Sequence, residues 1–93
     1  MIYAYAKLTV KNPDALAAYR EKAGDALARH GGKVETASAE PTALDGAPDL
    51  PDVAAVLSFP DRESALGWIN DPALSDVHAL RRNIGSSDII LLG

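Results

Sequence analysis

Residues 53–59 read VAAVLSF, apolar at every position except Ser58. A run of that length, ended by Pro60, is too short for a helix and reads as a strand buried within a sheet. Side chains alternate along a strand, so Val53, Ala55 and Leu57 take one face while Ala54 and Val56 take the other. Upstream, the stretch from Glu40 to Asp52 holds Pro41, Pro48, Pro51 and Gly46. Proline cannot donate a ladder hydrogen bond, so the weaker strand before it, residues 33–38 (KVETAS), belongs at a sheet edge. The loop itself has acids and no Lys or Arg, and is expected to be the most mobile internal segment.

Residues 2–10 (IYAYAKLTV) alternate with period two and predict a strand, Ile2, Ala4, Ala6, Leu8 and Val10 facing one way and Tyr3, Tyr5, Lys7 and Thr9 the other. Asn12-Pro13 marks a helix start, Asn as cap and Pro where its missing N–H costs nothing. Leu16, Tyr19, Ala23, Leu27 and His30 follow at helical spacing, and Gly31-Gly32 supplies the stop. Gly24 within this helix costs about 1 kcal/mol relative to Ala. Beyond Pro60, Asp61 caps a helix carrying Ala65, Trp68 and Ile69; Asn70-Asp71-Pro72 breaks it and restarts it. Leu74, Val77, Arg81 and Ile84 form the stripe of the second piece, Gly85 stops it, and residues 87–92 (SDIILL) form the last strand.

The order is β-α-β-β-α-β. Right-handed crossovers place the first and third strands side by side in the centre and the second at an edge. This predicts one α+β domain over residues 1–93, a four-stranded antiparallel ferredoxin-like sheet with helices on one face. The other face carries Tyr3 and Tyr5, and both the third and the last strand are apolar on both sides. A sheet with two apolar faces and helices on only one needs a second cover, and the expected cover is another copy of the chain.

Composition narrows the function. The formal net charge is −4, from 13 acids against 9 bases, which argues against nucleic-acid or anionic-membrane partners. There is no cysteine, so disulfides and thiolate chemistry are excluded. Residues 1–4 show no basic signal-type segment, and no apolar run approaches the ~20 residues a membrane helix needs, so a cytoplasmic setting is expected. Two histidines without carboxylates at ligand spacing give no metal site, and no GxSxG, P-loop or GxGxxG motif predicts a nucleophile or a bound cofactor.

Ala18-Tyr19-Arg20, His30-Gly31-Gly32, Phe59-Pro60, Ala65 with Trp68, Asn70-Asp71-Pro72, Leu80-Arg81 and Ser87-Asp88-Ile89-Ile90-Leu91 occur in this order along nearly the whole chain. In these the sequence resembles the bacterial domain of unknown function 1330, within the dimeric α/β-barrel group. The resemblance implies ferredoxin-like protomers whose sheets pack face to face in a homodimer, and no particular activity. Barrel relatives include cofactor-free monooxygenases, isomerases and ligand-binding proteins. The chain departs from the family pattern at Thr36-Ala37-Ser38-Ala39 and at Ala73-Leu74.

Two functions follow as expectations. One is a protein that binds a small acidic or aromatic molecule between sheet and helices. The other is a cofactor-independent enzyme, monooxygenase- or isomerase-like, with His78 as general base and Arg81 as anion anchor. The expected pocket is lined by Trp68, Tyr19 or Tyr5, and Arg81, with His78 near its mouth. Each residue has a plainer reading. His78 would be a solvent-facing helix residue, Trp68 and Tyr19 would be core, and Arg81 would pair with Asp88. His30 is expected to sit against the negative end of the first helix.

Overall fold

The computed structural model describes residues 1–93. β1 (Ile2–Val10) runs through the middle of a four-stranded sheet, between β3 (Val53–Phe59) and β4 (Gly85–Leu92), with β2 (Lys33–Ser38) at the edge beyond β3. All three pairings are antiparallel, giving the ferredoxin-like order β2-β3-β1-β4. The helices α1 (Pro13–Ala28), α2 (Arg62–Asn70) and α3 (Ser75–Arg82), with a 3-10 turn at Pro72–Leu74 between the last two, complete the α+β fold.

Three helical starts follow the capping logic of the sequence. Asn12 Oδ1 accepts the Ala15 N–H at 3.2 Å, Asp61 Oδ1 that of Ser64 at 2.7 Å, and Asp71 Oδ1 that of Ala73 at 2.9 Å. Each satisfies a donor that a helix's first turn leaves without a partner. Gly31, with φ 72°, provides the left-handed residue after α1. Gly85 has a different role from the expected helix stop. α3 has already ended, and the strand begins at Gly85, two residues before the sequence suggested. The Ile84 carbonyl there accepts the N–H groups of Lys11 and Asn12 at 2.8 and 2.9 Å. A Cβ on Gly85 would stand 2.0 Å from the Thr9 carbonyl oxygen, so only glycine permits the close approach.

Register sorts the faces. Ala4 lies opposite Leu57 and Leu91, and Ala6 opposite Ala55 and Ile89, all on the helix side. Ala4, Leu57 and Phe59 join Ala26, Leu27, Ala65, Trp68 and Leu74 in the main core, and Leu8, Ala15 and Ile84 form a smaller cluster. The other face has no helix against it. Tyr3, Ile90 and Leu92 are 44%, 53% and 54% exposed there, beside half-buried Tyr5 and Val56. The edge strand is exposed throughout and carries a bulge between Val34 and Thr36. Bulged Glu35 accepts a hydrogen bond from the Ser58 hydroxyl at 2.7 Å. That bond, aided by Lys33, holds the Glu35 carboxyl below its ordinary value.

The loop from Glu40 to Asp52 has no helix or strand, and its far end is tied down. Asp52 accepts the Val10 N–H at 2.7 Å and gives its own N–H to the Leu8 carbonyl at 2.9 Å. No helix is long and apolar enough to cross a membrane.

Candidate functional site

The inner side of α3 is polar where a helix covering a sheet is normally apolar. Leu74, His78 and Arg81 are buried, at spacings of four and three residues that put them on one face. His78, which the plainer reading placed in solvent, is 2% exposed. It is buried because α2 ends beside it. The last carbonyls of a helix have no partner within that helix. His78 Nε2 lies 2.8 Å from one of these, the Trp68 oxygen, and its ring meets the Trp68 indole edge-on at 4.7 Å.

On the other side of the ring, Arg81 Nη1 is 2.7 Å from His78 Nδ1. Arginine has only donors, so Nδ1 must accept, and the proton of the neutral ring sits on Nε2, where it is donated to Trp68. The geometry therefore holds His78 neutral in one tautomer. Burial pushes its pKa below the ordinary 6.5, and the charges of Arg81 and Arg82 push the same way against the opposing pull of the Trp68 carbonyl.

Arg81 is 4% exposed. Its guanidinium carbon stands 5.1 Å from the Trp68 ring centre and 5.9 Å from that of Tyr19. The expected partner, Asp88, lies on the opposite face of the sheet, opposite Lys7 of β1, and Arg81 has no carboxylate within ion-pair distance. Two buried donors are left without acceptors, Arg81 Nε and Trp68 Nε1.

Both donor-bearing side chains border a hollow of about 300 Å³ between α2 and the sheet, whose walls include Ala4, Phe59, Ile69 and Ile89. Its remaining polar residues are Arg82 and Ser87, so cationic and hydroxyl groups line it and no carboxylate does. A second hollow of about 230 Å³ lies beneath α1, walled by Leu16, Tyr19, Val34 and Ala55, and it shares Arg81 and Ile89 with the first. The space comes from small side chains. Ala4 borders one hollow and Ala6 and Ala55 the other, where larger residues would have filled the layer.

The structure thus brings Trp68 and Arg81 to one cavity and places Tyr19 beyond Arg81, in the other. Tyr5 does not join them: it pairs in register with Val56 and Ile90 on the helix-free face. His78 is not at a mouth but behind Arg81, with both ring nitrogens engaged. Arg82 and Ser87 were not singled out from the sequence. Ser87 had a legible signal, being a polar residue in phase with inward-facing Ile89 and Leu91.

His30 lies away from this cluster. Its Nε2 donates to Asp71 Oδ2 at 2.8 Å, with Arg29 Nε 3.4 Å from the same oxygen, tying the end of α1 to the break after α2. That hydrogen bond, followed by the one from the Ala73 N–H, holds the Asp71 carboxyl below its ordinary value. No three His, Cys, Asp or Glu side chains come together in a group that would hold a metal ion.

The model of a family described as Domain of unknown function (DUF1330) matches residues 1–93. Among solved structures, a protein of unknown function from Rhodopseudomonas palustris, RPA0582, superposes with a TM-score of 0.75 at 23% identity. The match covers 98% of this chain and 79% of that one, and it establishes a shared fold. No curated protein matches the chain.

Proposed function

The chain belongs to the DUF1330 family, whose description assigns no activity, and we propose from the site itself that the protein binds a small molecule in the cavity bounded by Trp68 and Arg81. One observation carries the reading. A guanidinium 96% removed from solvent has one hydrogen bond to a neutral imidazole, an unpaired Nε and no counter-charge. Holding a charge that way costs several kcal/mol in effective terms. A fold retains such a group where something else repays it, and a ligand entering an adjoining cavity does so.

Binding is favoured over catalysis by what lines the first hollow. None of its wall residues is an Asp, Glu, His, Lys, Cys or Tyr, so no general base faces it. His78 serves in this reading as a positioning group. It fixes one edge of the Arg81 guanidinium through the Nη1 hydrogen bond. The apolar majority of the wall takes the ligand's body.

The protein works as a homodimer in the same proposal. Tyr3, Tyr5, Val56, Ile90 and Leu92 give the helix-free face an apolar surface that a second sheet would cover.

Titration of a small-molecule panel against the labelled protein, followed by amide and indole NMR resonances, tests the site. The chain has one tryptophan, so Trp68 gives the one indole N–H signal. Shifts clustered at Trp68, Ile69, Arg81 and Ile89 are expected. Ligands that shift only surface residues away from α2 and α3 would refute the placement.

A further inference from the structure

We infer that the hollow beneath α1 is a second binding site, and that it takes a small apolar molecule, a hydrocarbon ring or a short branched chain with no hydrogen-bonding group in its buried part. The site is separate from the cavity beside Trp68 and does not depend on it. The edge strand supplies the first observation. Val34 and Ala37 pair with Leu57 and Ala55, so they lie on the helix side of the sheet, where apolar side chains are normally covered. Val34 is nevertheless 47% exposed, and Ala37 is exposed too. The space left there, about 230 Å³, has Ala6, Ala55 and Leu57 for a floor and Leu16, Ala23 and Leu27 for a roof.

Gly24 supplies the second. It lies in the interior of α1 and is not among the glycines with positive φ. Conformation therefore does not require it, and it costs helix stability relative to alanine. Packing within the chain does not require it either, since a Cβ there would meet nothing within 4 Å. The four exposed residues among the walls of the hollow are Arg20 and Gly24 on α1 and Val34 and Ala37 on β2, and they mark its mouth. A glycine that neither the backbone nor a neighbour calls for thus stands at the entrance, where it keeps the way in open.

The wall sets the class. Beyond Arg20 at the mouth, its polar side chains are Tyr19 and Arg81, and Arg81 is engaged with His78. No Asp, Glu, Asn, Gln, Ser or Thr lines it, which leaves the Tyr19 hydroxyl as the one side-chain acceptor. A buried hydroxyl or amide on the ligand would have little to bond, and water is disfavoured for the same reason. An apolar cavity of about 150 Å³ can take benzene, so a single substituted ring is in range here.

The test titrates toluene and phenol, which differ by a methyl against a hydroxyl, into the whole protein with labelled methyl groups. Toluene should shift the Leu16, Val34 and Leu57 methyl signals and bind at least about tenfold more tightly than phenol, the ratio expected for one unpaired hydroxyl. Ala55→Leu, which fills the floor, should abolish those shifts. Should that variant fail to fold, magnetisation transfer from toluene to the Ala55 and Leu57 methyls of the wild-type protein decides the placement. Toluene that shifts only Leu66 and Ile69, which border the first hollow, or shifts no methyl at all, would overturn the second site and leave the first to its own titration. Phenol binding as tightly as toluene would overturn the apolar class. Transfer between Leu44, 98% exposed in the Glu40–Asp52 loop, and Val34 in the ligand-free protein would show that the chain's own loop fills the hollow, and would overturn the inference.

Discussion

Replacing Arg81 with methionine separates a binding residue from a structural one, because the two roles predict stability changes of very different size. Losing the guanidinium strips His78 Nδ1 of its donor, a buried acceptor left unpaired at a cost of about 1–3 kcal/mol. The two ring contacts, on Trp68 and Tyr19, are worth about 0.5–2 kcal/mol each. Against these stands relief of a charge that is 4% exposed and has no carboxylate, a penalty of several kcal/mol. Methionine keeps a flexible apolar stem in place of the arginine stem. The contributions nearly cancel, and the net change should stay within about 1.5 kcal/mol. For a chain of this size that moves Tm by no more than about 12 °C.

A buried arginine serving the fold behaves otherwise. If the His78 hydrogen bond and the two ring contacts outweigh the desolvation penalty, their loss costs about 3–5 kcal/mol, which here would lower Tm by about 20 °C. The assay is a thermal melt of both proteins at one fixed concentration, since the stability of an associating protein depends on concentration, with a ligand found by the small-molecule titration added to the same samples. The expected result is a nearly unchanged Tm with binding of that ligand lost. A Tm lowered by about 20 °C with its affinity intact would refute the reasoning.

Three further outcomes are expected. Wild-type protein at micromolar concentration should sediment at about twice its 9.8 kDa chain mass, and Tyr5→Asp should dissociate or unfold it by burying an unpaired charge; a wild-type monomer refutes the dimer. Because the folded pKa of His78 lies below the unfolded 6.5, the unfolded chain takes up the proton first, so His78's contribution to stability is complete above pH 6.5 and is lost as pH falls toward the folded value. The slope is at most about 1.4 kcal/mol per pH unit, and His78→Gln should flatten it; an unaltered slope in the variant refutes the assignment. Gly24→Ala should stabilise the protein by about 1 kcal/mol, since a Cβ there meets nothing within 4 Å, and a lower Tm would show that something covers α1 at that point.

The fold was legible because local and global signals agreed. Asn12, Asp61 and Asp71 each preceded a periodic segment and each caps one, and the alternation of residues 2–10 placed Ala4 and Ala6 inward as observed. The candidate site was legible in part. Trp68 and Arg81 were named, but hydropathy selected Val77 for the inner stripe of α3, although His78 is four residues from Leu74 and three from Arg81. A polar side chain can take a core position when its hydrogen bonds are met, and the carbonyl that meets His78 belongs to another helix, which no local pattern reports. Tyr5 and Asp88 illustrate the reverse. Alternation already put them out of phase with the inward residues, so strand parity outweighed chemical suitability in deciding which side chains share a site.

The two halves of the proposal depend on each other physically. Only 16 of 93 residues are buried in the single chain, a small core for a domain that must offset the ordering of every residue. The helix side of the sheet is where more core would ordinarily go. There the central strands carry Ala4, Ala6 and Ala55, two hollows remain, and a guanidinium without a carboxylate partner borders both. Filling those hollows would strengthen the layer and remove the cavity. The opposite face carries Tyr3, Tyr5, Ile90 and Leu92 and has no catalytic or binding constraint in this reading. Pairing that face with a second copy adds apolar burial without touching the hollows. In the proposed dimer, stability drawn from the paired face would allow the helix face to stay underpacked around Arg81.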